Sequence, residues 1–169
     1  MRGPHPITGS VYLALVALLA LAAACQPSDE RPGFWLSGEV EAGPVRDWSF
    51  SENVDEIFVE TQTWYGIPHS VTIWGAAADG VFYLPALYYG DEEYPNARYW
   101  NRNVARDPQV RVRIGDRLFE GAAALVTDTT EWNRAAESFA RKYRPEWDEY
   151  RRDPDAKWIL LRFEPGAAG

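Results

Sequence analysis

The feature of this sequence that most constrains its fold is a run of short strand-like segments across residues 57–126. Residues 110–114 read VRVRI, so three aliphatic side chains point to one face of a predicted strand and two arginines to the other. A two-residue turn at Gly115-Asp116 connects this strand to residues 117–126 and makes a hairpin. Other segments rich in β-branched and aromatic residues are predicted strands: 57–61, 70–76 and 81–87. Because adjacent strands at this density usually close on themselves to remove exposed edges, we expect a small antiparallel barrel.

A short helix is predicted over residues 97–107. It stops before Pro108, because the residue before a proline avoids the helical region. Trp100 and Val104 lie four residues apart and share one face of this helix. Three arginines share another face at the same spacing: Arg98, Arg102 and Arg106.

A longer helix follows the hairpin and begins with a capping pair, Asp128 and Glu131. Its apolar residues recur at helical spacing until Pro145 ends it. Residues 146–156 are predicted to be a charged connector, and residues 157–163 a last strand that completes the barrel. The expected fold class is therefore mainly β: a small antiparallel split β-barrel with one short and one longer α-helix.

The remaining segments are predicted from their turn residues and aromatic content. Residues 34–50 are expected to add a strand or two on the outside of the barrel, and residues 51–56 a turn or a short helical segment. Residues 88–96 are acidic, aromatic and rich in glycine and proline, which predicts a loop at the rim of a pocket.

The first 24 residues have the composition of a bacterial secretory signal. One basic residue, Arg2, precedes an apolar stretch at residues 11–21 that is too short for a stable membrane-spanning helix. The sequence LAAAC that ends at Cys25 resembles the lipobox of bacterial lipoproteins, in which signal peptidase cuts on the N-terminal side of the cysteine and the cysteine thiol is acylated. The alternative is an ordinary secretory signal with an incidental cysteine behind it.

Three regions follow from this interpretation: a lipoprotein signal peptide at 1–24, a flexible tether at 25–33 and a split-barrel domain at 34–169. Cys25 is the only cysteine, so no internal disulfide can form. Gln26 rather than aspartate follows it, which in lipoprotein sorting implies the outer membrane. We expect a protein of the cell envelope that faces the periplasm and contacts the membrane through the lipid on Cys25.

Charge and composition exclude two classes of function. The chain has 17 basic and 25 acidic residues, so loss of Arg2 with the leader leaves a net charge of −9. Such an acidic domain is a poor partner for nucleic acid, whose phosphates require a basic surface. After removal of the leader only His69 remains of the two histidines, so no histidine-cluster metal site is expected.

The order of motifs resembles that of the split-barrel flavin- and deazaflavin-binding superfamily. This superfamily has the pyridoxamine-5'-phosphate-oxidase-like fold, and the closest resemblance is to its deazaflavin-dependent nitroreductase branch. The resemblance covers about half of the chain. Its motifs are Ile73-Trp74, Asp79-Gly80, Trp100 with Asn103, Asp107-Pro108 with Val110, Val112 and Gly115, then Phe119, Gly121 and Ala123, and finally Phe139 with Lys142-Tyr143.

One loop departs from the pattern of that branch. Members typically have a basic Gly-Arg-x-Ser-Gly turn that holds cofactor phosphates, whereas this chain reads Thr63-Trp64-Tyr65-Gly66. A phosphate site without a cation loses most of its electrostatic attraction. Either one of the three helix arginines replaces it, or the ligand lacks that phosphate, or no flavin binds.

The resemblance implies an oxidoreductase of the nitroreductase or quinone-reductase type, with FMN or a deazaflavin as cofactor. The candidate cofactor-binding residues are Trp64, Tyr65, Gly66, His69, Ser70, Arg98, Trp100, Arg102 and Asn103. No catalytic residue is assigned, because in such enzymes the cofactor does the chemistry. The superfamily commonly forms dimers, so a homodimer is a further expectation.

Two other functions stay open. The first is a non-catalytic lipoprotein that has lost the cofactor phosphate site and binds another small ligand or a partner, with no cofactor. The second is hydrolysis by Ser70 and His69, which is disfavoured because adjacent strand residues point to opposite faces. The ordinary structural roles also compete: Trp100 as core, the arginines as a solvated helix face and His69 as a satisfied strand residue.

Overall fold

The structure is a computed structural model and describes residues 33–41 and 43–166. The predicted signal peptide, Cys25 and all of the predicted tether except Gly33 therefore lie outside the described residues. Of the helices that it does describe, none has the length and apolar composition needed to cross a membrane.

Seven strands form one antiparallel sheet in the order β2-β1-β5-β6-β7-β4-β3. The strands are β1 Ile57–Gln62, β2 Pro68–Ile73, β3 Ala76–Ala78, β4 Val81–Tyr89, β5 Gln109–Ile114, β6 Arg117–Leu125 and β7 Ala156–Pro165. The helices are α1 Tyr99–Arg106, α2 Thr129–Lys142 and α3 Glu146–Arg152, and a 3-10 turn covers Ser49–Asn53. The predicted fold class is confirmed.

The strand predicted at residues 70–76 is wrong in one respect, because it is two strands. Its first half, β2, pairs with β1, and its second half, β3, pairs with β4. The chain changes partner at Trp74 and Gly75. Extending the β3–β4 register backwards would place Trp74 beside Pro85 and Thr72 beside Leu87, but no pairing exists there. Beyond the break, β2 and β4 diverge and leave a gap, which is the split of the barrel.

Gly75 is required at this break by packing. A Cβ atom there would lie 2.6 Å from the ring of Phe82 and 2.7 Å from Cδ1 of Ile57, and both side chains are fully buried. Real Cβ contacts are not this short, so only glycine lets the chain pass the core here.

The end of α2 holds the same glycine from the other side. The Tyr143 hydroxyl accepts a hydrogen bond from the Gly75 N–H at 3.0 Å and lies 2.9 Å from the carbonyl oxygens of Gly75 and Asp55. The Lys142 ammonium donates to the carbonyls of Gly75 and Ser51 at 2.7 and 2.8 Å. These contacts give the Lys-Tyr pair of the sequence motif a structural role, which is to fix the strand break.

Two hydrophobic clusters stabilise the fold. The larger one fills the curled sheet, and the smaller one lies between α2, α3 and β7. Phe139 and Trp147 are fully buried in the smaller cluster and stack at 5.3 Å. Truncating either residue to alanine should cost roughly 3–5 kcal/mol.

Two segments differ from prediction. Residues 146–156 are not a simple connector, because Glu146–Arg152 forms α3 and its Trp147 packs into the core. Residues 34–50 form no strand in their described part. They supply an isolated bridge from Val40 to Leu118, and Trp48 lies inside the barrel rather than outside, 4.9 Å from Phe82.

Residues 33–41 cross the outer face of β1, β2 and β6. The Leu36 N–H donates to the Glu60 carboxylate at 2.5 Å, and the Leu36 carbonyl accepts from Arg111 at 2.7 Å. Gly33 pairs with Ser70 through its N–H, at 2.9 Å from the serine Oγ, and through its carbonyl, at 2.8 Å from the serine N. The chain therefore reaches the domain beside the start of β2.

Candidate functional site

A groove of about 230 Å³ opens where β2 and β4 diverge. Three aromatic rings stand around it. Trp74 and Trp158 lie nearly parallel with ring centroids 6.0 Å apart, and the Tyr150 ring stands edge-on to both at 6.0 and 5.9 Å. We call this the aromatic groove; it is lined by Glu56, Thr72, Ile73, Trp74, Pro85, Leu87, Tyr150 and Trp158.

Two residues, Arg98 and Pro85, prevent another strand from pairing with the edge of β4 that faces the groove. The Leu87 carbonyl accepts from Nε and one terminal nitrogen of Arg98 at 2.8 and 2.5 Å, so this acceptor is not available to a strand. Pro85 lies two residues earlier, and its backbone faces the same edge. Because proline has no N–H, β4 offers no donor there and β2 cannot pair with it. The gap is thus built into the sequence.

A larger recess of about 600 Å³ adjoins the groove and shares Glu56 and Trp74 with it. Asp55 and Glu146 also line this recess. Lys142 belongs to it too, but its ammonium is bonded to backbone carbonyls, and burial lowers its pKa. The carboxylates therefore dominate the charge of the recess.

The opposite end of β2 carries a second group, which we call the Tyr99 cluster: Trp64, Tyr65, His69, Tyr99 and Arg102. The His69 ring meets the Tyr99 ring edge-on at 5.7 Å, and the Arg102 guanidinium lies 5.1 Å from the centre of the Tyr99 ring. A hydrogen bond with Tyr65 raises the pKa of Tyr99, and Trp64 packs edge-on against Tyr65 at 5.2 Å. Four of the nine predicted site residues are thus brought together around Tyr99.

His69 has the environment of a neutral imidazole. Burial lowers its pKa, and its Nδ1 is buried without a hydrogen-bond partner among the described residues. It pairs in register with Thr61 on the inner face, where the Asn103 amide donates to the Thr61 hydroxyl at 3.0 Å. Asn103 is only 2% exposed, so this amide supports the sheet end rather than facing solvent.

Trp100, Ser70 and Arg98 lie apart from this cluster, whereas Gly66 follows Tyr65 in the same loop. Trp100 is buried in the core, and Ser70 is fully buried beneath Gly33 on the face opposite His69. The Arg98 guanidinium donates to the Leu87 carbonyl of β4. Gly66 has a φ of +83°, a left-handed conformation that favours glycine.

The loop after β1 closes on itself instead of forming an anion nest. The Thr63 hydroxyl donates to the Ile67 carbonyl at 2.5 Å, and the Gly66 N–H donates to the Thr63 carbonyl at 3.2 Å. Cations approach from α1 instead, because Arg106 donates to the Gln62 carbonyl and Arg102 covers Tyr99. Among the three helix arginines, Arg102 and Arg106 therefore lie next to this loop.

Sequence reasoning missed the aromatic groove. The sequence predicts Tyr150 in a connector and Trp158 in a plain strand, and this prediction does not bring either residue to Trp74. Helical spacing could have revealed part of it, since Trp147 and Tyr150 are three residues apart and only a helix sends them to one side. Among the described residues, no three or more histidine, cysteine or acidic side chains are grouped so as to hold a metal ion.

The model of a known protein family matches this groove and the strands around it. The F420H(2)-dependent quinone reductase family matches residues 57–159, more than half of the chain. The chain belongs to this family. The match runs from β1 into β7 and includes Trp74, Pro85, Tyr150 and Trp158. The resemblance to the flavin and deazaflavin split-barrel superfamily is confirmed. No curated protein matches the chain.

Solved structures share the fold of this quinone reductase family member at low sequence identity. An F420-H2-dependent reductase is 20% identical with a TM-score of 0.53, covering 76% of this chain and all of its own. The heme storage protein HutZ from Vibrio cholerae is 16% identical with a TM-score of 0.53, covering 70% of this chain and 87% of its own. A structure described as a domain-swapped dimer is 18% identical with a TM-score of 0.54, covering 90% and 98%.

Proposed function

We propose that this protein binds a deazaflavin in the aromatic groove and catalyses reduction of a small uncharged acceptor of the quinone type. Lipid on Cys25 would hold it in the cell envelope, at the outer membrane facing the periplasm. The observation that carries the catalytic proposal is the groove itself, in which three aromatic rings surround a gap between two unpaired strand edges.

The residues present fit such a cofactor. Flat conjugated rings pack against aromatic side chains, and the groove is lined by Tyr150 together with Trp74 and Trp158, which also stack on Tyr143 and on each other. An acidic cofactor side chain requires cations, and Arg102 with Arg106 supplies them at the other end of β2. His69 stays neutral there and can accept or donate one hydrogen bond. When bound, a deazaflavin supplies hydride, and the protein supplies orientation.

The charge around the recess favours a neutral acceptor. Asp55, Glu56 and Glu146 face it, and the nearest ammonium, on Lys142, is turned toward backbone carbonyls. An anionic acceptor would be repelled by these carboxylates. An uncharged quinone or nitroaromatic compound would not.

Binding and turnover test the proposal directly. The purified full chain is titrated with oxidised F420 and separately with FMN, and then supplied with reduced F420 and menadione while absorbance is followed. Trp74→Ala should weaken F420 binding about tenfold, because a stacked aromatic pair contributes roughly 0.5–1.5 kcal/mol beyond its buried area. Trp132→Ala is the control, since Trp132 is a partly buried tryptophan of α2 outside the groove.

The role of the arginines has its own matched pair. Arg102→Ala should weaken F420 binding several-fold at low salt and less at high salt, because exposed charge pairs are screened. Arg134 is an exposed arginine paired with Asp79, and Arg134→Ala should leave the affinity for F420 unchanged. If the chain binds neither F420 nor FMN, the oxidoreductase proposal is overturned.

That negative result would favour a non-catalytic binding lipoprotein. The self-closed loop after β1 supports this second candidate, because the side chain of Thr63 is not free to hold a phosphate. The lipid anchor is tested separately by fatty-acid labelling of the wild-type chain and of Cys25→Ser. A homodimer is also proposed, and light scattering of the full chain in detergent tests it.

A further inference from the structure

The most exposed apolar side chains of the described residues occur together at one tip of the molecule. Trp64 is 76% exposed, Tyr65 49% and Ile67 48%, all within the loop between β1 and β2. Tyr99, 37% exposed, stands beside them. Large apolar side chains are normally scattered on a soluble surface, whereas this group is contiguous and ends in tryptophan. We call Trp64, Tyr65 and Ile67 the aromatic tip.

The aromatic tip lies next to the point where the chain enters the domain. Gly33 is bonded to Ser70, three residues after Ile67, so the two are separated by about 10 Å along the strand. Eight peptide units connect Cys25 to Gly33 and can span at most about 28 Å. A lipid on Cys25 would therefore keep this tip close to the bilayer.

We propose that the aromatic tip docks into the interfacial layer of the phospholipid bilayer to which the chain is anchored. Tryptophan and tyrosine are the side chains that favour the headgroup region, because they combine an apolar body with a polar edge. The inference rests on the anchoring part of the proposed function, and it shares Arg102 and Arg106 with the cofactor part.

The charges near the tip are complementary to anionic lipid. Residues 62–69 contain no carboxylate, although the whole chain is acidic; the nearest ones, Glu60, Asp107 and Glu120, lie behind the loop in the pocket that includes Gln62. Arg106 is exposed at the base of the loop, where it donates to the Gln62 carbonyl, and Arg102 is exposed beside Tyr99. One face of an acidic protein thus offers cations and aromatic side chains together, which orients that face toward a negatively charged surface.

The orientation also gives the aromatic groove a defined position. The aromatic tip follows β1 at one end of β2, whereas Trp74 and Trp158 stand at the other end, beside the strand break. Six residues of strand separate the two ends, or about 20 Å. A docked tip would leave the groove and the recess beside Trp74 away from the lipid headgroups, on the aqueous side.

Quenching of tryptophan fluorescence by brominated lipid tests the docking. The full chain is recovered from membranes and reconstituted in vesicles of phosphatidylethanolamine and phosphatidylglycerol with brominated acyl chains. All eight tryptophans lie after Cys25, so the leader contributes no signal. About one tryptophan in eight should be quenched in the wild type. Trp64→Phe should remove that quenched component, whereas Trp132→Phe should keep it.

A second variant guards against loss of fold. Ile67→Glu places a charge on an exposed side chain and should lower the quenching with an unchanged near-ultraviolet spectrum. Equal quenching of wild type and Trp64→Phe, including none in either, would overturn the docking. Shielding of Trp64 from acrylamide without vesicles, rising with protein concentration, would also overturn it and point to a second copy of the chain.

The anchor is scored separately by acylation of wild type and Cys25→Ser. If the protein is acylated but Trp64 is not quenched, the docking proposal is overturned and the anchor proposal is supported. A chain that carries no acyl group overturns the anchor and, with it, docking to a bilayer that the anchor would hold nearby.

Discussion

Removing the Tyr143 hydroxyl should destabilise the strand break more than its single oxygen atom suggests. Tyr143→Phe keeps the ring, and with it the stack on Trp74 at 4.7 Å. It removes the one acceptor that the described residues offer to the Gly75 N–H, and Gly75 is buried. The Gly75 carbonyl keeps its bond from Lys142, so one buried donor is left without a partner.

The size of the effect follows from that count. An unsatisfied buried N–H costs roughly 1–3 kcal/mol, and the lost hydroxyl bond to a carbonyl adds about 1 kcal/mol. We expect a loss of about 2–4 kcal/mol in the free energy of unfolding. At roughly 4 °C per kcal/mol for a domain of this size, the midpoint of thermal unfolding should fall by about 8–16 °C.

Tyr83 provides the matched control. Its hydroxyl is also buried enough to raise the pKa to about 12, as for Tyr143. Its partner, however, is the Glu131 carboxylate at 3.3 Å, which is partly exposed and can turn to water. Tyr83→Phe should therefore cost under about 1 kcal/mol.

Urea unfolding followed by near-ultraviolet circular dichroism measures both variants at one pH. The urea midpoint should fall for Tyr143→Phe with an unchanged slope, since the surface exposed on unfolding does not change. Similar losses for the two variants, or a loss under about 0.5 kcal/mol for Tyr143→Phe, would refute the assignment of a structural role to this hydroxyl.

Three further outcomes are expected. Gly75→Ala should cost about 1–3 kcal/mol, since its Cβ would meet Phe82 at 2.6 Å, and unfolding measurements should show it. Burial lowers the pKa of His69, so the folded state takes up this proton at a lower pH than the unfolded chain does. The free energy of unfolding should therefore fall as the pH drops below 6.5. His69→Gln should flatten that slope in urea titrations between pH 5 and 7. Asp128→Ala should cost about 1 kcal/mol, because Asp128 caps α2 by accepting from the Glu131 N–H at 2.8 Å.

The strands and helices were largely predictable because each is encoded locally. The alternation at residues 110–114 and the glycine turns fix β5 and β6 without help from distant residues. The Asp128 cap and the apolar spacing likewise fix α2. Such signals act within one turn or one hairpin, so the elements that they specify can be predicted from the sequence alone.

The groove was not predictable because it arises from a change of partner inside one continuous pattern. Residues 70–76 look like a single strand, and nothing local shows that Trp74 ends the pairing with β1. Glycine is needed at the break because a Cβ atom on residue 75 would meet Phe82, a residue on the next strand. Likewise, the short helix α3 was hidden by its charged sequence, EWDEYRR, whose only fully buried side chain is Trp147.

The break and the groove depend on each other. If the pairing of β3 with β4 extended back past Trp74 into β2, the Leu87 carbonyl would have a strand partner instead of Arg98, and the rings of Trp74 and Trp158 would have no cavity between the strands. Pro85 removes the donor that such pairing needs, and Lys142 with Tyr143 fixes the backbone at the point of divergence. The residues that limit the sheet are thus the same ones that create the candidate site. A substitution that restored pairing there, such as Pro85→Val, should therefore reduce cofactor binding more than stability.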